Sequence, residues 1–370
     1  MNPAQKLDQL EDYLHADPRN VALLSDVVHT AVQAGLTERA RAALDHADPW
    51  FAGTSALQHL EAVVLLSERR YAEARDLLQG VAASFADQPG VMFNLGYASL
   101  RSGDAAAAVE VLRPLVQRED APPATLAYLM RSLHHGADAA GALAAWEAAP
   151  ERQRTPEALA VASLAHLDLE HLEAARATSD AALAAGSRAA EALVARGTVA
   201  LADDDAALAD KLLGAANAQL PDDGRVFSAI GVARLACGDL AAAEEALGRS
   251  VALLPQHVGA WHALGWTQAL AGKLDAAGQS FAQALALDRN FGESYGGVAV
   301  VDAMQGRADA ARQNIELARR LDPQSMSFRY AEAVLAGAAN DPEAIRTLAL
   351  RLLRQRDGAA GIRLVDRIGR

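Results

Sequence analysis

One pattern of residues occurs three times between Gly224 and Ser325, and it constrains the fold more than any other feature of the chain. Each copy carries an aromatic residue near its start, and these aromatics are 34 positions apart. Other positions of the copies stay in the same register: Phe227, Trp261 and Tyr295; Gly231, Gly265 and Ala299; Ala243, Ala277 and Ala311; Pro255, Arg289 and Pro323. A fixed period of this length indicates a structural unit that stacks on copies of itself.

The spacing of small and large residues predicts that each unit is a pair of antiparallel helices. Gly231 and Gly265 would let the two helix backbones approach closely, whereas the large aromatics would fill the space between successive pairs. Glycines at 238, 272 and 306 mark the predicted end of each first helix, since glycine tolerates the left-handed conformation there. Alanine and leucine dominate the composition, which favours an all-α chain.

These features together resemble the tetratricopeptide repeat. The resemblance implies a right-handed α-solenoid, or superhelix, of tandem helix-turn-helix repeats. In this register, residues 1–20 form an N-terminal half-repeat helix and residues 21–325 form nine tandem repeats. Residues 326–370 then form a degenerate repeat and C-terminal capping helices. An irregular connector at 149–156 is the predicted place for the superhelix to bend.

The charge balance and the cysteine count restrict the partners and the compartment. A net charge of −13 argues against nucleic acid as the main partner, because phosphate neutralisation needs a basic face. The single cysteine, Cys237, rules out an internal disulfide. The first residues are charged and lack the apolar core of a signal peptide, so the sequence predicts a cytoplasmic protein with no membrane insertion. The strong excess of arginine over lysine suggests a bacterial genome of high GC content.

The sequence contains no recognisable catalytic or cofactor-binding motif, so we expect no enzyme activity, no cofactor and no metal. His134 and His135 are adjacent and would point about 100° apart on a helix, which is poor for joint metal binding. The run Asp203-Asp204-Asp205 permits a metal site, but capping of the next helix is the favoured interpretation. A cluster of titratable groups with shifted pKa values inside the groove would favour an enzyme instead.

In the family that the sequence resembles, function usually lies on a concave groove lined by the first helix of each repeat. Carrying the groove positions of that family onto this chain gives candidate partner-binding residues, among them His29 and His59. The principal candidates are Phe93, Asn94, Tyr97, Arg101, Arg131, His134, Leu235, His262 and Trp266. For each apolar member, packing in the core is the alternative, since an error of one position exchanges groove and core. Trp266 stands out because Trp261 is expected to occupy the core position of that repeat.

The resemblance therefore implies a non-catalytic scaffold or chaperone-like adaptor that binds a partner protein segment in its concave groove. Secretion and pilus assembly are contexts in which bacterial relatives work. The alternative is a structural or regulatory subunit that assembles through its outer surface or through its basic C-terminal surface. Seven arginines between residues 344 and 370 motivate that alternative.

Overall fold

The computed structural model describes residues 2–337, and within this range the chain consists of helices and connecting turns without a strand. The predicted all-α solenoid of tandem helical hairpins is thus confirmed for the described residues. The chain divides into two compact units, Met1–Ala158 and Leu159–Arg370, with the boundary inside one helix. The predicted capping helices and the arginines of residues 344–370 lie outside the described residues.

The N-terminal unit is built from successive antiparallel helices. Its helices are α1 (Pro3–Ala16), α2 (Val21–Gln33), α3 (Thr37–Asp45), α4 (Ser55–Ser67), α5 (Tyr71–Val81), α6 (Pro89–Arg101), α7 (Ala105–Leu115), α8 (Thr125–His135) and α9 (Ala139–Ala148). Short 3₁₀ turns occupy Pro49–Phe51, Ala82–Phe85 and Glu151–Gln153. Each even-numbered helix from α2 onward packs on the helix that follows it, so α2/α3, α4/α5, α6/α7 and α8/α9 are hairpins.

The C-terminal unit repeats the same arrangement after α10 (Pro156–Asp168), the helix that contains the boundary. Its helices are α11 (Leu172–Ala184), α12 (Ala190–Ala202), α13 (Ala206–Asn217), α14 (Gly224–Cys237), α15 (Leu240–Leu253), α16 (Val258–Leu270), α17 (Leu274–Leu287), α18 (Gly292–Met304), α19 (Ala308–Leu321) and α20 (Met326–Leu335). The first helices α12, α14, α16 and α18 begin 34 residues apart, which is the period of the sequence pattern.

A close contact between a glycine and a large side chain brings the two helices of a hairpin together. A Cβ added to Gly96 would lie 2.5 Å from Leu112 Cγ, and one added to Gly197 would lie 2.8 Å from Leu213 Cγ. Gly231 occupies the equivalent position, where a Cβ would collide with the fully buried Leu247. Real Cβ atoms do not approach other atoms so closely, so any side chain here would force the helices apart. This confirms the role predicted for Gly231.

The turn between the two helices requires one residue in the left-handed conformation. Gly238, Gly272 and Gly306 have φ values of 83°, 74° and 74°, as the sequence predicted. Other hairpins place a residue with a side chain there, including Ala137 with φ 59° and Asp204 with φ 65°. Such residues adopt this conformation at a cost of about 1–2 kcal/mol, whereas glycine does so freely.

The three adjacent aspartates in the turn before α13 have separate structural roles. Asp204 supplies the left-handed residue, and the Asp205 carboxylate accepts a hydrogen bond of 3.0 Å from the Leu208 backbone N–H. Asp203 forms a two-pronged ion pair with Arg176 on α11. The capping interpretation is confirmed, and no group of metal-binding side chains occurs within the part of the chain that the structure describes.

The irregular connector at 149–156 packs on the loop that precedes α8. Gln153 is buried, and its amide nitrogen donates to the carbonyl oxygens of Ala121 and Pro122 at 3.3 Å and 3.1 Å. Its amide oxygen accepts a hydrogen bond of 3.3 Å from the backbone N–H of Leu126. One side chain of the connector therefore hydrogen-bonds three backbone groups at the start of α8, among them the Leu126 N–H of the first helical turn.

The glycine–leucine contact predicts opposite effects for two glycine-to-alanine substitutions in one hairpin. A Cβ at Gly231 would lie within 2.9 Å of Leu247 Cδ2 and closer still to its Cγ, whereas a Cβ at Gly248 on α15 would meet no atom within 4 Å. We expect Gly231→Ala to lower the free energy of unfolding by about 1–2 kcal/mol through overpacking. Gly248→Ala should raise it by about 0.5–1 kcal/mol through helix propensity. Urea unfolding followed by circular dichroism measures both, and equal effects would contradict the close-contact argument.

The left-handed turn predicts that Ala137→Gly stabilises the protein. Relief of the backbone conformation should outweigh the extra freedom that glycine gives the unfolded chain, for a net gain of about 0.5–1 kcal/mol. Ala144→Gly is the matched control, because Ala144 is an exposed residue in the middle of α9. This control should lose about 1 kcal/mol. A loss of stability in both variants would show that Ala137 carries no backbone strain.

Candidate functional site

The N-terminal unit contains an open groove of about 680 Å³ between the first helices of three successive hairpins. α2 contributes His29, α4 contributes His59, and α6 contributes Gly90, Phe93 and Asn94. The lining residues in the described part of the chain include no Asp, Glu, Lys or Arg. The groove therefore offers aromatic, aliphatic and neutral polar groups.

Two histidines and a phenylalanine form one wall of the groove. The ring centroids of His29 and His59 are 6.3 Å apart, and the ring of His59 lies 5.3 Å from that of Phe85. His29 Nδ1 donates to the carbonyl oxygen of Ser25 at 2.8 Å, which fixes the orientation of its ring. Burial, with a smaller contribution from the neighbouring His29, lowers the pKa of His59 to about 4. His59 is therefore neutral at pH 7 and behaves as part of the apolar wall.

Next to this groove lies a row of four half-buried aromatic rings, which we call the aromatic ridge: Tyr71, Phe93, Tyr97 and Tyr128. Edge-to-face contacts join them, with centroid distances of 5.9 Å for Tyr71–Tyr97, 5.1 Å for Tyr97–Tyr128 and 5.5 Å for Phe93–Tyr128. Phe93 belongs to both the ridge and the groove. Groove and ridge thus form one continuous surface on the N-terminal unit.

Two arginines cover rings of the aromatic ridge. The guanidinium carbon of Arg101 lies 4.8 Å from the centre of the Tyr71 ring, and that of Arg131 lies 5.1 Å from the centre of the Tyr128 ring. Both distances are typical of cation–π contacts. Burial, together with a hydrogen bond to Tyr71, raises the pKa of Tyr97 to about 12, so its hydroxyl stays protonated at neutral pH.

Six of the candidate residues lie in the N-terminal unit. Phe93 and Tyr97 contact the same ring, and Arg101 and Arg131 stack on neighbouring rings of the ridge. Asn94 lines the groove itself. His134 is half-buried in the last turn of α8, one turn beyond Arg131.

Three residues of this surface, Tyr71, Phe85 and Tyr128, are absent from the sequence-based candidates. Tyr128 occupies the position in its repeat that Asn94 occupies in the preceding one, so the groove register contained the signal for it. Tyr71 begins α5, the second helix of its hairpin, and Phe85 lies in a 3₁₀ turn. The register of first helices contains no signal for either of them.

The structure corrects the positions of the three candidates in the C-terminal unit. Leu235, His262 and Trp266 are fully buried and cannot contact a partner in this conformation. Trp261, expected in the core, is instead half-buried, and its Nε1 donates to the Pro255 carbonyl oxygen at 2.9 Å. The two tryptophans of α16 thus have the reverse of their expected positions.

Small residues on α18 explain why Trp266 is buried. A Cβ on Gly297 of α18 would lie 2.6 Å from the Phe281 ring, and a Cβ on Gly265 of α16 would lie 2.7 Å from the same ring. Phe281 therefore fits between two glycines and contacts Trp266 edge-to-face at a centroid distance of 5.6 Å. The helix of the next repeat approaches closely enough to cover the face of α16 that would otherwise line a groove.

His262 is the polar centre of this buried cluster. Its Nε2 accepts a hydrogen bond of 3.0 Å from Trp266 Nε1, and its Nδ1 lies 3.4 Å from Ser294 Oγ. Because Nε2 is an acceptor, the neutral ring carries its proton on Nδ1 and can donate to Ser294. Burial lowers the pKa of His262 to about 3, which keeps the ring neutral at physiological pH.

Comparisons with known proteins agree with this architecture. Two family models described as tetratricopeptide repeat match residues 65–133 and 258–291. Among solved structures, the APC/C hetero-tetramer Cut9–Hcn1 is 15% identical, with a TM-score of 0.56 over 85% of this chain and 63% of that one, so this chain spans less than two thirds of its length. A search of curated proteins found no match.

Two further solved structures resemble parts of the chain. YrrB, whose structure is titled as a TPR protein with an unusual peptide-binding site, is 23% identical over 47% of this chain and 90% of its own, with a TM-score of 0.40. MamA is 18% identical over 43% of this chain and 93% of its own, with a TM-score of 0.39. Within residues 2–337, the structure contains no helix that is both long and apolar enough to cross a membrane.

The buried histidine predicts a specific loss of stability in mild acid. The pKa of His262 is about 3 in the folded state and about 6.5 when unfolded, so the unfolded chain alone gains this proton as the pH falls below 6.5. Between pH 7 and pH 5 this linkage should cost about 2 kcal/mol. His262→Gln retains an acceptor for Trp266 but does not titrate, so its pH dependence should be smaller by that amount.

Urea unfolding at pH 7, 6 and 5 tests this prediction. His15→Gln is the control, because it removes an imidazole from the surface rather than from the core. The prediction is wrong if His262→Gln and the wild type lose stability equally between pH 7 and pH 5.

Proposed function

Because the chain is a tetratricopeptide-repeat protein, we propose that it is a non-catalytic scaffold that binds a segment of a partner protein in the groove of its N-terminal unit. The observation that carries the proposal is the open groove between α2, α4 and α6. A volume of about 680 Å³ accommodates several side chains of a bound segment.

The chemistry of the groove supports binding to protein rather than to a charged small molecule. In the described part of the chain its lining contains no Asp, Glu, Lys or Arg, and it combines Phe85 and Phe93 with the amide of Asn94. Aromatic anchors surrounded by neutral polar groups are typical of the residues that dominate protein-binding energies. The Asn94 amide in the lining can hydrogen-bond the backbone of an extended segment.

The proposal is confined to the N-terminal unit. There, Phe93, Asn94, Tyr97, Arg101, Arg131 and His134 remain the proposed partner-binding residues. Leu235, His262 and Trp266 are excluded because a partner would have to open a packed core to reach them.

Narrower forms of the function rest on the family resemblance alone. They are a chaperone-like adaptor and a role in bacterial secretion or pilus assembly; a cytoplasmic location is a further proposal that rests on the charge and hydropathy of the sequence. The alternative of a subunit that assembles through the basic C-terminal surface depends on arginines outside the described residues. We therefore favour the groove, whose geometry is defined.

Filling the groove should abolish capture of the partner. Gly90 lines the groove and Gly80 lies on α5 away from its lining; both are exposed helical residues at which a Cβ would meet no atom within 4 Å. Gly90→Trp places a bulky side chain in the groove, and Gly80→Trp places the same side chain elsewhere. We expect proteins retained by the wild type to be retained by Gly80→Trp and lost from Gly90→Trp.

Affinity capture from native lysate, quantified by mass spectrometry, measures this difference. Circular dichroism and thermal unfolding establish that both tryptophan variants are folded. Equal capture by Gly90→Trp and the wild type would reject the groove as the binding site. Loss from both tryptophan variants would reject it as well, because the effect would not be specific to the groove.

A further inference from the structure

We propose that the aromatic ridge recognises an internal acidic side chain of the bound segment. Arg101 binds this acidic side chain, and Phe93 contacts an apolar residue a few positions away in the same segment. This inference rests on the proposed function and specifies the chemistry of the partner. The segment it describes is extended, with an aspartate or glutamate a few residues from a large apolar residue.

The geometry of Arg101 leaves its N–H groups accessible to a carboxylate. Its guanidinium stacks on the Tyr71 ring at 4.8 Å, so one flat face is covered by the ring. The N–H groups of a guanidinium lie in its plane, and stacking leaves them available at the edges. Arg101 is exposed, and a carboxylate can approach those edges from solvent with the two-pronged geometry that arginine favours.

Arg101 differs from several other arginines of the N-terminal unit in its lack of an ion pair within the described residues. Other arginines of the N-terminal unit pair with carboxylates: Arg41 with Glu68, Arg70 with Glu73 and Arg118 with Asp120. Within residues 2–337, Arg101 has no ion pair with an acidic side chain, although the chain carries a net charge of −13. The neutral groove beside it adds no competing carboxylate. The local surface therefore complements an acidic segment although the protein as a whole is acidic.

The distance between Phe93 and Arg101 determines the spacing of the two recognised residues in the bound segment. Phe93 and Arg101 lie eight residues apart on α6, which is about 12 Å along a helix. An extended chain advances about 3.3–3.4 Å per residue. A segment that contacts both side chains therefore places its acidic residue three or four positions from its apolar anchor.

An internal carboxylate fits this surface better than a chain terminus. Phe93 joins the ridge to the groove, so the surface continues on both sides of the anchor position. An acidic side chain can occur at any position of a segment that follows this surface, whereas a terminal carboxylate occurs only at its end.

Synthetic peptides test the proposal directly. The probes are 12-residue fluorescein-labelled peptides with amidated C-termini, each with one phenylalanine and one glutamate two to six positions away in a Gly/Ser/Ala background. A matched series replaces glutamate with glutamine. Fluorescence anisotropy at about 50 mM salt measures binding to the full chain. We expect the glutamate peptides with a spacing of three or four to bind about tenfold more tightly than their glutamine counterparts.

Arginine variants assign the effect to a residue. Arg101→Gln should reduce the glutamate preference to about twofold or less, and Arg101→Lys should restore part of it because it retains the charge. Arg113→Gln is the control, since Arg113 is an exposed arginine on the adjacent helix α7 and should leave the preference unchanged. A preference that survives Arg101→Gln overturns the proposal.

The remaining outcomes distinguish a failure of the acidic recognition from a failure of the groove function. Equal binding of both series, weakened by Gly90→Trp, would overturn the acidic recognition and leave the groove function standing. Failure of every peptide to bind would overturn the acidic recognition and also remove support for the groove. A glutamine peptide with a free C-terminal carboxylate that binds as tightly as the glutamate peptides would overturn the assignment to an internal side chain.

Discussion

In four of the described hairpins, the close contact between a glycine on the first helix and a large residue sixteen positions later determines how closely the two helices pack. Gly96, Gly197, Gly231 and Gly265 meet Leu112, Leu213, Leu247 and Phe281 in this way. The absence of a side chain on one helix allows the backbones to approach, and a leucine or phenylalanine on the other fills the space. Other hairpins carry a small residue at the same position, such as Ala299 in α18, so the repeat period keeps this close approach of the two helices.

The same use of small residues distinguishes the two units at the level of the groove. On α18, Gly297 allows Phe281 to fit beneath it, and the face of α16 with His262 and Trp266 becomes core. On α6, the corresponding region carries Phe93 and Asn94, which line an open cavity. A groove and a closed core are therefore two outcomes of one repeat, and for α16 the residues of the following first helix produce the closed core.

The dependence of burial on residues of a neighbouring repeat explains which features the sequence predicts well and which it does not. The left-handed glycines and the Asp205 cap depend on local backbone geometry, and the sequence predicts them correctly. Trp261 and Trp266 lie on one helix, but Trp266 packs with residues of α18, one repeat further along, whereas Trp261 packs with residues of the preceding repeat. A pattern within one repeat contains no information about how closely its neighbour approaches. Phe85 lies in a 3₁₀ turn outside the regular helices, so the register of first helices contains no signal for it either.

Electrostatics and packing act together on the candidate binding surface. Burial keeps His59 neutral and the Tyr97 hydroxyl protonated, so neither of these two side chains carries a charge at pH 7. The positive charges lie on the ridge, on arginines whose flat faces rest on aromatic rings. Stacking limits the rotation of these long side chains, which reduces the entropy lost when they bind a carboxylate. The ridge therefore combines rigid apolar contact with charge that is already positioned, and this favours a partner segment carrying both kinds of residue.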